Sequence, residues 1–92
     1  MIIRIMSEGQ YRVSSAILDD LNLIDNRIVD QVAKNDEAGF KEELSRLITT
    51  IKAKGEPLDP AEIVESDIIV PPADLTLDEA KRVFSGCGLI QD

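Results

Sequence analysis

The 92-residue sequence predicts an α+β fold, a small three-stranded sheet packed on an antiparallel helix hairpin with a short helix near the C-terminus. Three observations predict it. An apolar run, Ile2-Ile3-Arg4-Ile5-Met6, opens the chain and is followed at once by a polar turn. Two long segments then carry apolar residues at helical spacing, and a β-branched run, Asp67-Ile68-Ile69-Val70, follows them and stops at Pro71-Pro72. The chain is long enough for one modest core, so one domain over residues 1–92 is expected.

The first strand, residues 2–6, turns through Ser7-Glu8-Gly9-Gln10 into a second over residues 10–13. Ser14 or Ser15 then caps a helix beginning near Ala16. Its apolar face is Ile17, Leu18, Leu21, Ile24, Ile28, Val29 and Val32, a stripe about 140° wide that suits packing against two neighbours. Lys34 and Asn35 stop it, and Asp36 caps a second helix at once. So short a joint folds the two helices back on each other. The second stripe is Phe40, Leu44, Leu47, Ile48 and Ile51, closed by Lys52 and Lys54, with Gly55 as the expected left-handed residue beyond the end. Gly39 is an odd choice inside a helix, and room at the turn is the reason to expect it.

Pro57 to Pro60 breaks the pattern, and Asp59-Pro60-Ala61-Glu62 predicts one helical turn over residues 60–64. The third strand is residues 67–70. Thr76-Leu77-Asp78-Glu79 is a capping box that starts a last helix, with Leu77, Ala80, Val83 and Phe84 expected on one face and Gly86 and Gly88 ending it before Leu89-Ile90. In the first strand Ile3 and Ile5 face one side, Ile2 and Met6 the other with Arg4. The hairpin covers one side. The last helix is expected on the other, with a homodimer as the alternative cover.

Composition narrows function mainly by exclusion. The formal net charge is −8 and is unevenly placed: residues 1–55 hold 8 basic and 9 acidic side chains, residues 56–92 hold 2 and 9. Phosphate binding needs clustered Lys and Arg, so a nucleic-acid partner and direct docking on anionic lipid are disfavoured. There is no histidine and a single cysteine, Cys87. That leaves the thiol without its commonest activating base, and metal binding without its commonest ligands. Acid pairs such as Asp19/Asp20, Glu42/Glu43 and Asp78/Glu79 are adjacent in sequence and do not converge on a helix. Neither a cofactor site nor catalysis is expected. No run approaches the ~20 apolar residues of a membrane span, and the opening strand lacks a signal-peptide cleavage region, so the expected location is cytoplasmic.

Two residues break the first helix's pattern. Asp25 falls inside the apolar stripe and needs Arg4, Arg12 or rim solvent as its partner. Leu23 points onto the polar face, where a partner helix would meet it.

The opening Met1-Ile2-Ile3-Arg4-Ile5-Met6 with Glu8-Gly9-Gln10-Tyr11-Arg12 resembles the start of the PspA-associated domain, the PspAA family. Ser66-Asp67-Ile68-Ile69-Val70-Pro71-Pro72-Ala73-Asp74 and the ending Gly88-Leu89-Ile90 are similar to its later signatures. Gln91-Asp92, where proline is expected, and Gly39 depart from the pattern. The resemblance implies a non-catalytic adaptor or regulatory partner of PspA, the coiled-coil membrane-remodelling protein of the phage-shock envelope-stress response, without cofactor and touching membrane only through that partner. The expected partner-binding residues are Glu8, Gly9, Gln10, Tyr11, Arg12 and Leu23, with the acidic C-terminal part as a second surface. The alternative is a sensing domain, holding a small molecule in an apolar pocket between sheet and hairpin, lined by Arg4, Arg12 and Asp25.

Overall fold

The computed structural model describes residues 1–62 and 64–84. The expectations for Cys87, the Gly86/Gly88 stop and the Leu89-Ile90 tip lie outside these residues, as does Ile63 of the expected turn. The elements are β1 (Ile2–Ile5), β2 (Gly9–Arg12), a 3₁₀ turn (Ser15–Ile17), α1 (Leu18–Ala33), α2 (Glu37–Lys54), β3 (Glu56–Pro57), β4 (Ile68–Val70) and α3 (Leu77–Val83).

The fold is α+β as expected, but the sheet has four strands, ordered β3-β2-β1-β4. β1 pairs antiparallel with β2 (Ile3 opposite Tyr11, Arg4 opposite Gln10) and parallel with β4 (Ile3 opposite Ile68, Arg4 opposite Ile69). The extra strand is Glu56-Pro57, set against Arg12 and Tyr11. Proline is tolerated there because β3 is an edge, where a missing N–H breaks no ladder.

The helix hairpin forms as its patterns dictate. Ser14 accepts from the Ala16 amide at 3.1 Å and starts the 3₁₀ turn that leads into α1. At the other end Asn35 adopts φ 58°, its amide donates to Val32 O at 3.2 Å, and the Asp36 amide donates to Gln31 O at 2.9 Å. These bonds make a Schellman stop, which satisfies carbonyls the helix leaves open. Asp36 then caps α2, accepting from the Gly39 amide at 3.1 Å. A Cβ on Gly39 would lie 2.4 Å from Asp36 Oδ2 and 2.9 Å from Gln31 Nε2, so glycine there does make room for the joint. Gly55 corrects the expectation placed on it. Its φ is −92°, an ordinary value, and its reason is close approach: a Cβ would sit 2.7 Å from Ile51 O and 2.9 Å from Val13 Cγ1.

The core lies between the hairpin and the inner sheet face. Ile3, Ile5, Val13 and Val70 from the sheet meet Leu21, Ile24, Ile28 and Val32 of α1 and Phe40, Leu44, Leu47, Ile48 and Ile51 of α2. Each such side chain contributes about 1.5–3 kcal/mol when fully buried.

Three further expectations are corrected. The last helix does not cover the outer sheet face; α3 packs on the helix side, its capping box at Thr76 and Glu79 formed, with the Phe84 ring edge-on to Phe40 at 6.2 Å. Val83 points away from that contact and is exposed, because only Ala80 and Phe84 of the expected face turn fully inward. The expected helical turn after Pro60 is a tight turn through the described residues 59–62, in which Asp59 accepts from the amides of Ala61 and Glu62 at 2.9 Å.

Candidate docking surface

β3 and β4 run parallel at opposite edges of the sheet, so the chain between them must recross it. The hairpin occupies the inner face. The connection therefore passes on the outer side, where one side chain ties it down: the Gln10 amide donates to Val64 O at 2.9 Å and to Ser66 Oγ at 2.8 Å. Its ends are fixed by backbone bonds, Leu58 N to Gln10 O at 2.9 Å and Asp67 N to Ile2 O at 2.8 Å, with Asp67 Oδ2 accepting from Ile2 N at 2.8 Å.

Between this connection and the β1–β2 turn lies an open hollow of about 300 Å³. Arg4, Gln10 and Tyr11 line it from the sheet, Glu8 and Gly9 from the turn, and Pro57, Leu58, Asp59, Pro60, Glu62 and Val64 from the connection. The turn is shaped by Ser7 at φ 71° and Gly9 at φ 108°, the latter a conformation that favours glycine. Glu8 is held by Lys52 of α2 at 2.7 Å. That hydrogen bond first, and the carboxylate's charge second, raise the Lys52 ammonium above its ordinary value, with desolvation opposing.

Four of the six expected partner-binding residues, Glu8, Gly9, Gln10 and Tyr11, thus meet in one hollow. The other two lie elsewhere. Arg12 borders a second, shallower hollow with Val13, Ser14, Ser15, Lys54 and Glu56. Leu23 is 54% exposed, as its position on the polar face predicts, but lines neither hollow. Position along β2 explains the split: Arg12 is at the end of the strand away from the turn. The sequence reading missed the Pro57–Val64 wall. The wall follows from the strand at residues 56–57, which forces a crossing and which no local pattern announces.

The place expected for a ligand pocket, between sheet and hairpin, holds the packed core instead. Asp25 is 0% exposed and engaged in a polar interaction, which excludes the rim-solvent option. Arg4 and Arg12 do not serve it, since both side chains lie on the outer face and are exposed. Glu43, of the adjacent pair Glu42/Glu43, is also buried, at 8% exposed; Arg46 takes one of its oxygens at 3.3 Å. Among the described residues no group of three or more His, Cys, Asp or Glu is placed to hold a metal ion, and no helix is long and apolar enough to cross a membrane.

Fold and surface together define a small acidic α+β domain whose sheet is faced on one side by a helix hairpin and shaped on the other by a crossing connection. The chain belongs to the PspAA family, described as PspA-Associated protein, whose model matches residues 1–92. No curated protein and no solved structure matches it.

Proposed function

We propose that this domain is a non-catalytic adaptor of a PspA-type coiled-coil membrane-stress protein, acting in the cytoplasm by protein–protein contact. The observation that carries the reading is the family match along the whole chain, whose description names association with PspA. Physical features support it. The concave surface is open and built from a turn and a connection, as contact surfaces are, and its walls are Pro, Leu, Tyr and Val rimmed by charge. The net charge of −8 keeps the domain off anionic lipid, so membrane contact runs through the partner. A small-molecule sensor gains no comparable support, because the sheet–hairpin interface is occupied by side chains.

Size-exclusion with light scattering, on the domain alone and mixed with PspA, tests the reading. The mixture is expected to elute as a complex, and Tyr11→Ala or Arg12→Glu is expected to weaken it. Separate elution of the two proteins would reject the adaptor role; undiminished binding by both variants would remove those two residues from the contact.

A further inference from the structure

We draw no further inference here: the strongest candidate, the exposed patch of Met6 and Ile69 on the outer sheet face beside the hollow, carries none because nothing in the structure shows what covers it.

Discussion

The two faces of β1 differ sharply. Ile3 and Ile5 point inward and are sealed under the hairpin, while Ile2, Arg4 and Met6 point outward beside a hollow and a polar tie. Alternation along one strand therefore separates two tasks at single-residue resolution. Inner residues hold the fold through apolar burial. The outer face is organised by a handful of hydrogen bonds centred on Gln10, and its apolar side chains are left available for contact. A mutation's effect on stability should thus depend on parity before it depends on chemistry.

The largest test of that contrast sets the core against the outer face. Phe40→Ala removes a fully buried ring that also meets Phe84, and is expected to cost about 3–5 kcal/mol in urea unfolding. Met6→Ser/Ile69→Thr is expected to stay within about 0.5 kcal/mol per site. Comparable losses from the two would dissolve the distinction. Of intermediate size is Gly55→Ala, where the new methyl meets the Ile51 carbonyl and Val13; a loss of about 1–3 kcal/mol is expected, and a gain in melting temperature would show that the helix end yields easily. The smallest is Gln10→Ala, which frees Val64 O and Ser66 Oγ at a partly exposed site and should cost about 1 kcal/mol. Hydrogen exchange would sharpen the point: faster exchange in the connection with unchanged protection in α2 is expected, whereas faster exchange spread over both helices would make Gln10 a core residue in effect.

The helices were legible because their signals are local. The Leu21–Val32 and Phe40–Ile51 stripes, the Asp36 cap and the Thr76/Glu79 box are each set within about two turns of chain, and all form. What failed depended on long-range geometry. Glu56-Pro57 has no strand propensity of its own and pairs because α2 delivers it beside β2. By pattern alone the outer face calls for a helix or a second protomer, because a connection without regular structure leaves no periodicity to read. Val83 left its expected face for the same reason: which flank of a helical stripe is covered depends on how α3 packs. In the candidate surface, the turn residues 8–11 were recognisable as a contiguous segment, but the opposing wall comes from residues 57–64, some 50 positions away.

The central place of β1 has a consequence for how the molecule comes into being. Its partner on one side, Ile68–Val70, lies more than 60 residues further along the sequence. Without β4, β1 would show a bare hydrogen-bonding edge rich in isoleucine, the kind of template on which chains mispair. A pairing this far apart in sequence is of the non-local kind that slows folding, and Pro71-Pro72 end the strand that makes it.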